Sequence, residues 1–105
     1  MPTIQSRQLI LTDPARADLD DIYDQLATRG TPIAERFVNG LLTDLRQCAD
    51  NGHIGAPRDT IRPGLRVRVH GKFCAYFRYD DRHWIVLRIV RGARDIGGLT
   101  FDDDA

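Results

Sequence analysis

Little in this 105-residue chain advertises chemistry. Its two cysteines, Cys48 and Cys74, sit in apolar surroundings, which suits buried thiols better than a disulfide. Its three histidines, His53, His70 and His83, are scattered and form no metal-ligand spacing with the cysteines or carboxylates. There is no serine nucleophile elbow and no glycine-rich phosphate loop. No run approaches the ~18 apolar residues of a membrane span, and Met1 to Gln5 lack the basic and apolar regions of a secretion signal. The expectation is a cytoplasmic protein with no membrane association, no cofactor, no metal and no catalytic residue. Net charge is lacking too, since fifteen Lys and Arg balance fifteen Asp and Glu. That balance argues against a general nucleic-acid binder and against direct sequence-specific binding of DNA. Internal repeats are absent, and the length fits one domain over residues 1–105.

The neutral total hides an uneven distribution. Residues 1–52 carry five arginines against eight carboxylates, residues 53–94 carry ten cations against three, and residues 95–105 carry four aspartates and no base. An acidic first half, a basic second half and an acidic end predict a polarised surface.

The basic half is organised by period-two alternation. Leu65, Val67 and Val69 face one way and Arg66, Arg68 and His70 the other, as in a half-buried strand over 64–70. The pattern resumes over 73–79 after the turn at His70-Gly71-Lys72. Asp80-Asp81 marks a second turn, and 83–91 is apolar on both faces except for Arg88, which suits a strand covered on two sides.

Upstream, Gln5 to Thr12 reads as a strand. Asp13-Pro14 predicts a helix start with Asp at the N-cap, giving a helix over 14–29 with Ala15, Leu19, Ile22, Tyr23 and Leu26 on one stripe. Asp18, Asp20, Asp21 and Asp24 are expected on its solvated side. Thr31-Pro32 repeats the start signal for a helix over 32–50, and the short link forces a helical hairpin. Residues 52–64 are expected to form an ordered loop, and 96–105 a flexible acidic tail. The fold class is α+β, in the order β-α-α-β-β-β, with the hairpin packed on a small antiparallel sheet.

Four segments carry a resemblance: LTDPARADLDDIYDQLA (Leu11–Ala27), Pro63-Gly64-Leu65-Arg66, Tyr76-Phe77-Arg78-Tyr79, and Ile89-Val90-Arg91-Gly92-Ala93-Arg94-Asp95. Their order and spacing, over about residues 7–98, resemble the ParE branch of the RelE/ParE superfamily, toxins of type II toxin–antitoxin systems. Arg91 stands where that pattern usually has His. The resemblance implies a RelE/ParE-like fold and a small ParD-like antitoxin that forms a hetero-oligomer with the toxin by wrapping a C-terminal segment along it. It also implies DNA gyrase as the target, blocked by binding without chemistry. RelE-like relatives instead cut mRNA on the ribosome with the same architecture.

The residues lean toward binding. An endonuclease of that kind would use Arg66 and Arg91 as phosphate clamps and His70 or His83 as proton carrier, but beyond the last strand the chain offers no Tyr, His, Lys or Glu. The expected toxicity determinants are Arg66, Arg91, Arg94 and Arg68. The expected antitoxin groove includes Leu19, Tyr23, Phe77 and Arg78.

Overall fold

Alternation in the C-terminal half produces three antiparallel strands: Arg66–His70, Phe73–Tyr79 and His83–Arg91. The structure is a computed structural model that describes residues 6–92. The expected acidic tail, Arg94 and the first residue of the expected first strand lie outside the described residues. In chain order the elements are β1 (Gln8–Leu11), α1 (Asp13–Ala27), α2 (Thr31–Asp50), β2 (Ala56–Pro57), β3 (Arg66–His70), β4 (Phe73–Tyr79) and β5 (His83–Arg91).

The sheet runs β1-β5-β4-β3-β2. Two features depart from the sequence expectation. First, β1 pairs in parallel with β5, Leu9 opposite Trp84, so the sheet is mixed rather than purely antiparallel. The helical hairpin between them supplies the long connection that a parallel pair requires. Second, the expected loop 52–64 contains β2, which pairs with Val67 and Arg66 of β3. Two residues carry too little pattern to announce a strand.

The helix starts also differ from expectation. Thr12, not Asp13, caps α1: its hydroxyl accepts from the Ala15 N–H at 3.3 Å and lies 3.1 Å from the Val86 and Leu87 carbonyls, to which it donates. The helix start is thereby tied to β5 by a fully buried side chain. Gly30, not Thr31, precedes α2, with no side-chain cap bond. Its φ of 139° turns the chain between the helices within three residues, a conformation that glycine adopts freely.

The hairpin covers one sheet face. Leu19, Ile22, Leu41 and Leu45 pack on Phe77, Trp84, Val86 and Ile89, and the Phe77 and Trp84 rings stack with centroids 3.8 Å apart. The opposite face carries a second cluster, Leu65, Val67, Tyr76, Ile85 and Leu87, partly covered by Ile61 of the loop before β3. The two-sided burial expected for β5 is therefore present.

The acidic helices and basic strands meet through two partly buried ion pairs, Asp18 with Arg88 and Asp44 with Arg68. Asp18 is not on a solvated face. It accepts from Arg88 Nε at 2.7 Å, from Arg88 Nη2 at 2.9 Å and from the Ile89 N–H at 2.9 Å. The β4–β5 register slips between Tyr76 and Phe77, leaving Leu87 without an opposite residue. Asp18 thus satisfies a backbone donor beside this bulge as well as a guanidinium. Asp18→Ala is expected to lower the unfolding free energy by about 3 kcal/mol, read by urea titration. A loss under about 1 kcal/mol, the value of an exposed pair, would show that solvent screens it.

Candidate partner-binding surface

The arginines singled out in the sequence are not gathered at one point. Arg66 stands opposite Phe77 and Arg91 opposite Phe73, on the two flanks of β4. Four strand residues span about 13 Å and two interstrand gaps about 10 Å, placing the two Cα atoms roughly 16 Å apart. The two positions are not adjacent, and each is set by a different neighbour of β4.

Arg66 is half-buried at the start of β3. Its guanidinium donates to the Ile54 carbonyl and, at 3.5 Å, to that of Gly55, and lies 5.8 Å from the Tyr79 ring centroid. Arg7 stacks over the same ring at 4.4 Å and donates to the Asp80 carbonyl. Arg66 therefore organises the loop before β2 while keeping part of its charge accessible.

Arg68 faces α2. It donates to Asp44 Oδ1 at 2.9 Å and Oδ2 at 3.3 Å, while His70 Nδ1 lies 2.9 Å from Asp44 Oδ2. One carboxylate thus binds Arg68 and His70 of this strand face and fastens α2 to β3. Burial pushes the Asp44 carboxyl up, but hydrogen bonds and charge from Arg68 and His70 outweigh it and hold it below its usual 3.8. A group depressed in the folded state contributes stability above its unfolded pKa and loses it as pH falls through the folded value. Stability attributable to Asp44 is expected to be intact at neutral pH and to be lost progressively below about 3.8, as pH falls through the lower folded value. Urea titrations of wild type and Asp44→Asn should differ at neutral pH and converge in acid. A constant gap down the pH series would contradict this assignment.

His83 is likewise tied, 3.1 Å from Asp80 Oδ1. Asp80 accepts from the N–H groups of Arg82 and His83, and it is held at about 2, first by the Arg82 backbone N–H. His83 is a turn residue whose ring rests on that turn's own carboxylate.

The expected antitoxin groove does not form as one surface. Leu19 and Phe77 are corrected to core residues, 7% and 0% exposed, filled in between hairpin and sheet. Tyr23 is half-buried on α1. Arg78 pairs with Ile85 on the face away from the helices, where it lines a cleft of about 490 Å³ with Arg62 and Leu65.

A different concavity does gather chemistry. The second half of α1, the start of α2, the β3–β4 turn and the end of β5 enclose a cleft of about 460 Å³. Leu26, Phe37 and Phe73 supply its apolar lining, with Phe37 and Phe73 ring centroids 5.2 Å apart. Arg29, Lys72 and Arg91, all exposed, stand around it. Among the described residues none of these three makes an ion pair with a carboxylate. Of the three, only Arg91 is singled out by the sequence. Arg29 reads there as a helix end and Lys72 as a turn, and four separate segments must come together before the cleft exists.

Among the described residues no group of three or more His, Cys, Asp or Glu is placed to hold a metal ion, and no helix is long and apolar enough to cross a membrane. The family model for the ParE toxin of the type II toxin–antitoxin system parDE matches residues 9–96. The chain belongs to the ParE toxin family. It is 24% identical over 90 residues to Toxin ParE3 of Caulobacter vibrioides, covering 85% of this chain and 90% of that protein. Among solved structures it matches the chromosomal ParDE toxin–antitoxin system from P. aeruginosa with a TM-score of 0.72 and 30% identity, over 84% of this chain and 98% of the other. The RelBE2 toxin–antitoxin complex from Mycobacterium tuberculosis matches with a TM-score of 0.59 at 18% identity, over 89% and 99% of the two chains, a likeness of fold. This ParE-family chain is thus a type II toxin with the α+β fold that its sequence implied, its hairpin laid on one face of the sheet.

Proposed function

We propose that this ParE-family toxin arrests growth by binding DNA gyrase, performs no chemistry of its own, and is neutralised by a small ParD-like antitoxin. The observation that carries the reading is the dispersal of its cationic and proton-carrying groups. Arg66 and Arg91 flank β4 at opposite ends, and Arg68 and His70 are both engaged by Asp44. Phosphodiester cleavage needs cations and a proton-transfer group converging on one phosphate. Gripping a protein needs only that separated charges meet complementary ones across a wide surface. Arg66 and Arg91 are assigned to the target contact, joined by Arg94 from outside the described residues. Family membership supports the antitoxin, as does the likeness to the P. aeruginosa chain, which belongs to a ParDE toxin–antitoxin pair.

A supercoiling assay tests the target. Purified toxin in molar excess over gyrase is expected to inhibit supercoiling, and Arg91→Glu to weaken that inhibition. Full supercoiling at large excess of toxin removes gyrase from the reading. Transcripts cleaved in expressing cells, with cleavage lost in His70→Ala, would replace it by the ribosome-dependent endonuclease.

A further inference from the structure

We propose that Arg7 and Arg66, both held by the ring of Tyr79, form one cationic grip for a carboxylate-bearing segment of the target protein. The inference rests on the gyrase reading above and deepens it. It adds Arg7 as a contact residue, Tyr79 as a positioning residue and an acidic protein segment as the ligand.

One arginine precedes β1 and the other opens β3, and folding brings both to the end of β4. Arg7 lies 4.4 Å and Arg66 5.8 Å from the Tyr79 ring centroid, so their guanidinium carbons stand no more than about 10 Å apart. Neighbouring carboxylates on one short segment can cover that span. Each guanidinium is also fixed through its Nε, which donates to a backbone carbonyl, that of Asp80 for Arg7 and that of Ile54 for Arg66. With Nε engaged, the terminal Nη groups remain as donors for a ligand, save for one long Arg66 contact of 3.5 Å with the Gly55 carbonyl.

The charge of the pair is not quenched from within. Neither arginine makes an ion pair with a carboxylate among the described residues, whereas Arg68 and Arg88 hold Asp44 and Asp18. Asp80, whose carbonyl accepts from Arg7, directs its carboxylate to the N–H groups of Arg82 and His83. Two fixed cations side by side repel each other, and an anionic group between them relieves the repulsion. The surroundings select the source of that anion. Tyr79 and both arginines are half-buried, and Ile54, bonded to Arg66 through its carbonyl, is 48% exposed. Tyrosine and arginine beside an exposed aliphatic side chain suit a protein contact. A nucleic-acid backbone presents its charge on a broad front, which the eight carboxylates against five arginines of residues 1–52 oppose. The ligand is therefore assigned to Asp or Glu side chains of a protein segment.

The test is gyrase supercoiling with the purified full chain, titrated to half-inhibition at two ionic strengths. Arg7→Glu is expected to raise the toxin concentration required roughly 10-fold or more and to reduce its salt dependence. Tyr79→Leu should raise it comparably, and Tyr79→Phe, which restores the ring, should recover most of that loss. In the Tyr79→Leu background Arg7→Glu should add little, because the two act through one contact. Circular dichroism and urea titration verify that each variant folds. Arg36→Glu carries the same charge change on an exposed site, at the far end of α2 from Ala49, whose carbonyl accepts from the Arg7 N–H, and should inhibit like wild type. Equal inhibition by Arg7→Glu and wild type overturns the grip and leaves gyrase as the target. Retention of DNA by the toxin alone, lost in Arg7→Glu, overturns the protein ligand in favour of phosphate. Failure of wild type to inhibit overturns the gyrase reading, and the grip with it.

Discussion

Truncating Phe77 to alanine is expected to destabilise the protein by about 4 kcal/mol, the range for deleting a buried aromatic ring. Phe77 is completely buried and its ring stacks on Trp84 at 3.8 Å, in the cluster that joins the hairpin to the sheet. Trp84 is itself pinned by its indole N–H, which donates to the His53 carbonyl at 2.8 Å, so it cannot swing into the vacated space without losing that bond. Cavity cost depends on how well a site collapses, and this one is held on two sides. Chemical denaturation measures the effect. A loss near 1 kcal/mol would mean that the site relaxes. The same variant distinguishes core from groove: any reduced antitoxin binding should follow the loss of fold and disappear under conditions that keep the variant folded.

Gly55→Ala is expected to cost a comparable amount, about 4 kcal/mol, from left-handed backbone strain combined with overpacking. Gly55 has a φ of +62°, and a Cβ there would stand 2.6 Å from the Val67 carbonyl oxygen and 2.8 Å from two carbons of the Phe77 ring. The ring could shift, but the Val67 carbonyl belongs to β3 and cannot. Because the two sites touch, their effects should not add. Gly55→Ala combined with Phe77→Leu should be less damaging than the sum of the single changes, since the smaller side chain removes one of the two clashes. Strict additivity in the double-mutant cycle would place the strain entirely at the backbone. The position also matters for the surface, because Arg66 donates to the carbonyls of Ile54 and Gly55. Distorting that loop should reorient Arg66, so the gyrase inhibition proposed above is expected to be weaker in a folded remnant of Gly55→Ala than in wild type.

The extents of β4 and β5 and the existence of both helices were legible because their signals are local. Side-chain period, a Thr or Asp before Pro, and Gly at a turn all act within a few residues. Alternation in β3 was equally plain, with Arg66, Arg68 and His70 on one face and Val67 and Val69 on the other. Which face the helices would take was not plain, because an alternating strand is symmetric until something packs on it. Asp44 decides it, drawing the Arg68 and His70 face under α2 and leaving Val69 57% exposed on the other side. Asp18 misled for the same reason: on the helix it reads as one of four acidic residues, and only Arg88 and Ile89, beside the bulge in β5, supply its three donors.

By itself, then, the sequence determined the order of every element but β2, the polarity of its two halves and the family to which the chain belongs. Tertiary structure alone decided the parallel pairing of β1 with β5, the burial of Leu19 and Phe77, the separation of Arg66 from Arg91, and the assembly of a cationic apolar cleft from four segments. The division has one physical cause. Backbone propensities and side-chain periods are set by neighbours along the chain, whereas charge pairing, burial and concavity are set by residues that folding brings together from far apart.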